Sequence, residues 1–478
     1  MKLNAKIGII GGGIAGASSA LYLAMLGADV TLFEKEASLV SGPPMCHLHA
    51  GGNLYREIDD TQCVRLLEQS IELGRFYPHG VDFRPTVLAT PLDDPQTPQE
   101  LIPRLELLKR SYEKLVESDA KNAILGNPQE YYRCYTYEEM LALKELPNIK
   151  EPKESDEWMR VVAKNITLEK FHYPLILVQE YGLNMFRISA SASLMAQKLP
   201  NLEILTQTQV KEVEKRENSF VLHYENQNNI ESAAFDYLIN AAGFRSGEID
   251  DALFLKRRRL VEFKASYVVH WEREDVLWPE IIFHGQRGTP KGMAQFTPYA
   301  DGHFQLHGMT EDITLFENGL VSSSDESSQP KLAEIFLHKI ERGWHSEIIE
   351  QRTALAIEHL AQFMPAFATA TIAAKPLYGA QQIPGYDKTL RASEVSFESN
   401  NYARCEIVKA SSILSMAETI AQELLRLDFL DRSALEREDF KDLFAINAAD
   451  VTSLAQKIAL QREYPEAMGR VNLGYKER

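Results

Sequence analysis

Residues 6–36 constrain the fold of this chain more than any other stretch. The short apolar run Lys6–Ile10 leads into GGGIAG at positions 11–16, which satisfies the pattern G-x-G-x-x-G. The residues that follow predict a helix over 15–26 and a second strand over 28–33. A strand, a glycine-rich turn, a helix and a strand in this order are typical of a dinucleotide-binding unit.

Each glycine of this pattern has a physical role in holding a dinucleotide. Gly11 allows the tight turn, Gly13 lets the backbone approach a pyrophosphate, and Gly16 lets the helix pack closely on the strand. Ile14 and Ala15 open the helix, whose free N–H groups and partial positive charge favour phosphate. Glu34 ends the second strand, where its carboxylate can accept hydrogen bonds from a ribose diol. An acid there would repel a 2′-phosphate, so we predict FAD or NAD rather than NADP.

Length, charge and cysteine content narrow the class of protein. With 478 residues the chain predicts two or more domains. A net charge of −17, from 51 basic and 68 acidic residues, argues against a general nucleic-acid or anionic-membrane binder. Four scattered cysteines without C-x-x-C argue against disulfides and zinc. The sequence shows no signal peptide and no apolar span of 18 residues, so we expect a cytoplasmic protein without a transmembrane segment or a bound metal.

The rest of the chain alternates between helical and strand-rich regions. Periodicity predicts helices over 60–76, 331–360 and 410–427, and a strand-rich stretch over 260–315. Residues beyond Asp428 form a charged tail that reads as a helical extension. The sequence contains no internal repeat.

A segment with two histidines and two adjacent glycines follows the nucleotide-binding unit. It reads MCHLHAGGN over 45–53 and contains His47 and His49. Adjacent glycines suggest backbone that passes close to a ligand. The alternative is a surface loop with solvated histidines.

Four separated pieces resemble the FAD-dependent oxidoreductases of the D-amino-acid oxidase (DAO) superfamily. They are GGGIAG with Glu34, the region around Gln209 and Val210, INAAG at 239–243, and PLYGAQQIPGYD at 376–387, which precedes a final helix. Relatives include glycine and sarcosine oxidases, and glycerol-3-phosphate and 2-hydroxyglutarate dehydrogenases or oxidases. A glycine-rich turn that many relatives place before the last helix is missing, since this chain has RCEIVKASS at 404–412.

The resemblance implies an α/β fold (α+β overall): a discontinuous, Rossmann-like FAD/NAD(P)-binding domain with an inserted mixed or antiparallel substrate domain. The implied boundaries are 1–85, 181–255 and 366–430 for the FAD-binding domain, 86–180 and 256–365 for the substrate domain, and 431–478 for a C-terminal extension.

The resemblance also implies FAD as the cofactor. The implied contacts are Gly11, Gly13, Ile14, Ala15 and Gly16 at the pyrophosphate, Glu34 and Lys35 at the adenosine, and Val210, Ala241, Ala242, Gly243, His49, Ala50, Gly379, Ala410 and Ser411 elsewhere. In dimethylglycine dehydrogenase a similar His-Ala motif carries a covalent flavin bond, so a covalent His49–FAD bond is one option. A non-covalent contact or a catalytic role for His49 is the favoured one.

The implied reaction is hydride removal from a carbon that bears an amine or hydroxyl, often beside a carboxylate. The substrate is therefore expected to be a small molecule, an amino acid, amine or 2-hydroxy acid. An arginine suits the carboxylate, and Arg287, Arg391 and Arg187 are the candidates in falling order. A hydroxyl substrate also needs a base, for which His49, His47 and His307 are the candidates. Lys409 is a further candidate neighbour of the flavin, and the favoured alternative is an ordinary lysine at the start of a helix.

Two other functions stay open beside an oxygen-reoxidised enzyme. A quinone-linked dehydrogenase would dock at a membrane surface through the basic run Lys256–Arg259 or the tail. A non-catalytic protein would bind the nucleotide without turnover. The sequence leaves open the substrate, the electron acceptor, the flavin linkage, the oligomeric state and the role of residues 431–478.

Overall fold

Residues 5–45, 47–49, 56, 58–272, 276–398, 401–431 and 445–471 are described by a computed structural model. Their strands, numbered in chain order, are β1 (Lys6–Ile10), β2 (Asp29–Phe33), β3 (Val81–Asp82), β4 (Thr86–Pro91), β5 (Tyr132–Tyr135), β6 (Phe171–Val178), β7 (Gly182–Leu183), β8 (Leu202–Leu205), β9 (Thr208–Lys215), β10 (Phe220–Asn226), β11 (Asn229–Phe235), β12 (Tyr237–Asn240), β13 (Arg259–His270), β14 (Glu280–Phe283), β15 (Ala294–Pro298), β16 (His303–Gly308), β17 (Leu320–Ser322), β18 (Thr371–Ile372), β19 (Leu377–Pro384), β20 (Val395–Glu398) and β21 (Tyr402–Cys405).

The α-helices of the same residues lie outside the sheets. They are α1 (Ile14–Met25), α2 (Asp60–Phe76), α3 (Ile102–Ser118), α4 (Tyr137–Lys144), α5 (Ser155–Asn165), α6 (Met185–Ala196), α7 (Ser246–Ala252), α8 (Glu334–Arg342), α9 (Ser346–Ala361), α10 (Ile413–Arg426) and α11 (Ala448–Gln461).

A six-stranded sheet with the order β20-β21-β12-β1-β2-β8 contains the glycine motif. Its strands are parallel except for β20, which runs antiparallel to β21 at the edge. The apolar residues of β1 and β2 are buried on both faces, as expected for a parallel sheet covered by helices. We call this the nucleotide sheet. A three-stranded antiparallel sheet, β11-β10-β9, belongs to the same part of the fold.

A larger, mostly antiparallel sheet is built around the long strand β13. Its order is β17-β13-β16-β15-β14-β4-β6-β5, and β18 and β19 also pair with β13. Strands from residues 86–178 and from 259–384 therefore share one sheet. The expected fold class, a Rossmann-like unit combined with a mixed or antiparallel sheet, is confirmed.

Two local expectations differ from the structure. Residues 331–360, predicted as one helix, form α8 and α9, because Gly343 interrupts them with a φ of 93°. Strand β19, which the predicted boundaries assign to the FAD-binding domain, pairs with β13 along its whole length in the large sheet. The domain boundaries themselves stay a prediction.

A buried carboxylate connects the two sheets. Asp250, in α7, accepts a hydrogen bond from Arg404 Nε of β21 at 2.5 Å and pairs with Arg259 at the start of β13. Tyr402 donates its hydroxyl to the same carboxylate at 2.8 Å. Asp250, Arg259 and Arg404 are each at most 1% exposed, so the cluster is removed from water. Buried charges of this kind need each other as partners.

Among the described residues, no helix has both the length and the apolar character needed to cross a membrane.

Asp250→Asn should lower the free energy of unfolding by about 3–5 kcal/mol, because it removes the carboxylate charge that two buried guanidinium groups share. Arg259 then loses its carboxylate partner, and Arg404 keeps only that of Glu398, at 3.2 Å. Urea denaturation measures the change. Asp325→Asn is the control, since Asp325 is exposed and pairs with Arg258 of the same basic run at 3.4 Å. The control should leave the unfolding free energy unchanged. A stability loss equal to that of the control would show that Asp250 does not join the sheets.

Candidate active site

The glycine motif forms a tight cradle at the end of β1. Gly11 has a φ of 101°, and a Cβ there would lie 2.4 Å from the Ala241 carbonyl oxygen. A Cβ on Gly16 would lie 1.9 Å from the Gly11 carbonyl oxygen. Gly13 differs, because a Cβ there would meet no atom within 4 Å and would project into open space. The motif thus leaves room for a ligand at Gly13 and at the start of α1.

That open space is part of a cavity of about 980 Å³ between the nucleotide sheet and the large sheet. Its volume lies at the upper end of the range of roughly 300–1,000 Å³ typical of ligand sites. The cavity begins at the carboxyl ends of β1, β2 and β12, where α/β proteins bind their ligands. It continues to the faces of β13, β15, β16 and β19. The cavity is therefore large enough to be considered as a site for a dinucleotide.

Glu34 lies at the nucleotide end of the cavity. Its carboxylate accepts hydrogen bonds from the backbone N–H groups of Gly12 at 2.6 Å and Glu36 at 2.7 Å. Burial raises the pKa of Glu34 despite these two bonds. Each carboxylate oxygen keeps a further lone pair, so Glu34 can still accept a ribose hydroxyl.

Most of the residues predicted to contact FAD are brought together in the cavity wall. They are Gly11, Gly13, Ile14, Ala15, Glu34, Lys35, His49, Val210, Ala241, Ala242, Gly243, Gly379 and Ala410. Gly16 packs beneath the turn, and Ser411 is buried next to Ala410 without lining the cavity. Ala50 lies outside the described residues. Their roles toward FAD stay predictions.

The order of the three candidate arginines changes in the structure. Arg287, the first choice, pairs with Glu262 and lies 3.2 Å from the Met309 sulfur, outside the cavity wall. Arg187 is buried and pairs with Asp82. Arg391 lines the cavity and donates through Nη1 to two backbone carbonyl oxygens at 2.8 Å. Among the three, Arg391 is therefore the one that lines the cavity.

His47 lines the cavity from within a buried network of charges. Its Nδ1 lies 2.6 Å from Glu280, and its Nε2 lies 3.4 Å from Glu180. Arg84 contacts the other oxygen of Glu280 at 2.8 Å. Burial would raise the pKa of Glu280, but His47 and Arg84 hold it below its ordinary value. His47 is thus fixed in orientation rather than solvated.

His49 packs against His47 with ring centroids 4.2 Å apart. Its backbone has a φ of 58°, a conformation that residues other than glycine rarely adopt. The Lys409 ammonium nitrogen lies 3.0 Å from His49 Nε2. Removal from water and the charge of Lys409 hold the pKa of His49 well below its ordinary value. His49 is therefore a neutral imidazole with a basic nitrogen directed at Lys409.

The large sheet contributes Lys264 of β13, Gln295 of β15 and His307 of β16 to the cavity wall. Lys264 pairs with Glu262 at 2.8 Å. Burial and the charges of Lys264 and Lys409 lower the pKa of His307 to about 3, so its ring is neutral. Gln295 Oε1 and His307 Nδ1 are buried and make no hydrogen bond to any described residue. Such atoms favour a ligand that can supply the missing partners.

Sequence reasoning missed several residues of the wall. Lys264 and Gln295 follow no motif, and only strand pairing brings them to the cavity. Gln461, Arg462 and Tyr464 of the C-terminal segment also line it. The helical extension predicted beyond Asp428 was the one signal for that segment, and it does not reveal where the segment packs.

The fold and the cavity together define a protein with a Rossmann-like nucleotide site that a second sheet borders. The comparisons with known proteins identify the class further. Residues 6–139 match the model of the FAD dependent oxidoreductase family, DAO. No curated protein sequence matches the chain.

Solved structures share the fold at low identity. Glycine oxidase from Geobacillus kaustophilus is 13% identical, with a TM-score of 0.56 over 88% of this chain and 95% of that chain. Glycerol-3-phosphate dehydrogenase from Bacillus halodurans, complexed with FAD, is 13% identical, with a TM-score of 0.57 over 99% and 83%. L-amino acid deaminase from Proteus vulgaris is 14% identical, with a TM-score of 0.54 over 89% and 94%.

These findings confirm the resemblance to the DAO superfamily, and the chain is an FAD-dependent oxidoreductase. The cofactor also fits the residues present, because Gly13 opens into the cavity and two buried polar atoms of its wall lack partners. Gly11, Gly13 and the start of α1 would hold the pyrophosphate, and Glu34 would hold the ribose.

Gly13→Val should abolish FAD binding, because the side chain would project into the space left for the pyrophosphate. The ratio of flavin absorbance to protein after purification measures the effect. Gly13→Ala introduces a smaller group at the same position and should retain more flavin than the valine variant. A folded valine variant with full flavin content would contradict the assignment.

Proposed function

We propose that this FAD-dependent oxidoreductase oxidises a C–N or C–O bond of a small carboxylate-bearing amino acid, amine or 2-hydroxy acid. FAD, when bound, accepts the hydride from the substrate carbon. The observation that carries the proposal is the charge of the cavity wall beside His49. Lys264, Arg391 and Lys409 all line that part of the wall.

The lining carboxylates lie elsewhere. Glu34 and Glu36 belong to the nucleotide-binding turn, and Glu248 and Glu341 both pair with Arg245. Near His49 the described residues of the wall therefore contribute Arg391, Lys409 and Lys264, the last paired with Glu262 outside the wall, and no carboxylate of the wall itself. A buried anion is stabilised by such surroundings, whereas a buried cation without a partner is costly. This charge distribution supports a substrate with at least one carboxylate.

Arg391 is proposed as the main carboxylate partner. Its Nη1 is held by the carbonyl oxygens of Lys388 and Leu390, which orients the planar guanidinium. A guanidinium held in this way binds a carboxylate through two parallel hydrogen bonds. Lys264 and Lys409 add charge that a second polar group of the substrate can use.

His49 and Lys409 are proposed to handle the substrate proton. Lys409 donates a hydrogen bond to His49 Nε2, and this bond occupies the lone pair of that nitrogen. A substrate carboxylate attracts the Lys409 ammonium and so frees His49 Nε2 to accept a proton from the substrate hydroxyl or amine. His47 would orient His49 by ring contact, because Glu280 and Glu180 hold it in place. A covalent His49–FAD bond is not needed for this role.

Oxygen is the proposed electron acceptor. The quinone alternative used the basic run Lys256–Arg259 as a docking face. Within that run, however, Arg257 pairs with Glu406, Arg258 with Asp325 and Arg259 with buried Asp250. Lys256 donates to the Glu326 carbonyl oxygen at 2.7 Å. Engaged in this way, the run offers little charge to a membrane surface, which supports oxygen over a membrane quinone.

The proposal includes a cytoplasmic location and no nucleic-acid partner. The acidic net charge supports the second point. Cys63, Cys134 and Cys405 are free thiols, and burial raises their pKa values, which suits a reducing compartment.

An anaerobic screen tests the proposal by loss of flavin colour. It should contain amino acids, N-methyl amino acids and 2-hydroxy acids, with mono- and dicarboxylic members of each, and the matching amines without a carboxylate. We expect colour loss with carboxylate-bearing compounds and fast return of colour in air. Colour loss with no compound would favour the non-catalytic alternative, and slow return in air would favour the quinone alternative.

For a substrate found in this way, Arg391→Met should raise KM roughly 10- to 100-fold, as expected for loss of a charged hydrogen bond worth about 1.5–3 kcal/mol. Arg287→Met is the matched control and should change KM less, because Arg287 pairs with Glu262 outside the cavity wall. A larger effect at Arg287 than at Arg391 would reverse the assignment.

The pH profile tests His49. A base must be unprotonated to act, so activity should fall on the acid side as pH drops through the lowered pKa of His49, below 6.5. Lys409→Gln removes a nearby positive charge and should move this inflection in kcat/KM toward higher pH. Lys291→Gln, at a surface lysine paired with Asp93, should not move it. An inflection that stays in place in the Lys409 variant would exclude His49 as the group observed.

A further inference from the structure

We infer that Arg462, in the C-terminal segment 445–471, is a positioning residue for FAD. It holds the loop over residues 36–45 against the glycine motif, and the loop in turn forms one wall of the cofactor cavity. The inference rests on the bound cofactor and not on the identity of the substrate.

The C-terminal segment is integrated into the fold. Helix α11 packs on α6 through a cluster that includes Val451, Ala455 and Ile458. The same cluster contains Val268 of β13, so the segment spans both parts of the fold. Asn184 donates its side-chain amide to the Met468 carbonyl oxygen at 2.7 Å. These contacts fix where the end of α11 lies.

Arg462 follows directly after α11. All three nitrogens of its guanidinium donate hydrogen bonds to the loop over residues 36–45. Nη1 donates to the Val40 carbonyl oxygen at 3.0 Å, and Nη2 donates to the Leu39 carbonyl oxygen at 2.6 Å. Nε and Nη2 both reach the Ser38 hydroxyl, at 3.1 and 2.8 Å. Nη2 also lies 3.2 Å from the Ser189 hydroxyl of α6. A lysine could not satisfy these acceptors together, because it lacks the planar fork.

The loop needs this support because its conformation is strained. Val40 has a φ of 58°, and a β-branched residue there is a true outlier. Such strain costs about 1–3 kcal/mol and persists only where the surroundings enforce it. Two hydrogen bonds enforce it here. The Val40 N–H donates to the Gly12 carbonyl oxygen at 2.8 Å, and Arg462 binds the Val40 carbonyl oxygen.

The loop and the arginine both border the cavity. Ser38 and Val40 line it together with Gly13, and Arg462 lines it as well. Release of the loop would open the wall next to the glycine cradle and expose bound FAD to solvent. Burial lowers the pKa of Arg462 to about 10, and the side chain therefore stays charged at neutral pH.

The rate of FAD release from the holoenzyme tests the inference. After dilution, the rise in flavin fluorescence gives the dissociation rate. Arg462→Ala should accelerate release at least tenfold, and Arg462→Lys should fall between the alanine variant and the wild type. Arg426→Ala is the control, because Arg426 is exposed and pairs with Glu423 in its own helix. A release rate for Arg462→Ala within twofold of the wild type would overturn the inference.

Val40→Gly separates positioning from a general loss of stability. Glycine adopts a positive φ without strain, so the loop then depends less on Arg462. The factor by which Arg462→Ala accelerates FAD release should therefore be smaller in the Val40→Gly background than in the wild type. Equal factors in both backgrounds would show that Arg462 acts on stability alone. Because FAD release needs no substrate, this result is independent of the proposed reaction.

Discussion

The cavity exists because the two sheets are held at a fixed separation, and Asp250 is the group on which that separation depends. Its carboxylate binds Arg404 from the nucleotide sheet and Arg259 from the large sheet, all three buried. A buried ion cluster gains little net stability but tolerates few alternative geometries. We therefore expect the cluster to act on specificity, by favouring one placement of β13 against the nucleotide sheet. The cofactor cavity and the substrate wall follow from that choice.

Charge is divided along the cavity in a way that suits two different ligands. Glu34 and the free N–H groups of α1 occupy one end, where a ribose and a pyrophosphate need an acceptor and donors. Arg391, Lys409 and Lys264 occupy the other end beside two neutral histidines. One chain would thus present opposite electrostatic surroundings to a bound FAD and to its substrate.

The sequence predicted the nucleotide side of the site much better than the substrate side, for a physical reason. Gly11, Gly13 and Glu34 act through local backbone geometry, which neighbouring residues encode. Arg391, Lys264 and Gln295 reach the cavity through long-range pairing on β13 and its neighbours, and no short pattern records such pairing. Arg287 carries the expected chemistry but is neutralised by Glu262, a partner that only the folded sheet supplies. No sequence pattern indicated Arg462, because its contacts with the loop over residues 36–45 also form only in the folded chain.

The strand order of the nucleotide sheet has a consequence for synthesis on the ribosome. Strand β1 is made well before its neighbour β12, because Lys6, at the start of β1, and Asp236, just before β12, are 230 residues apart in the sequence. At about 5–20 residues per second, β1 waits roughly 10–50 seconds for that partner. During this time the emerging β1-α1-β2 unit exposes an unpaired apolar edge. The nascent chain therefore offers a chaperone a defined early target before the cofactor cradle can close.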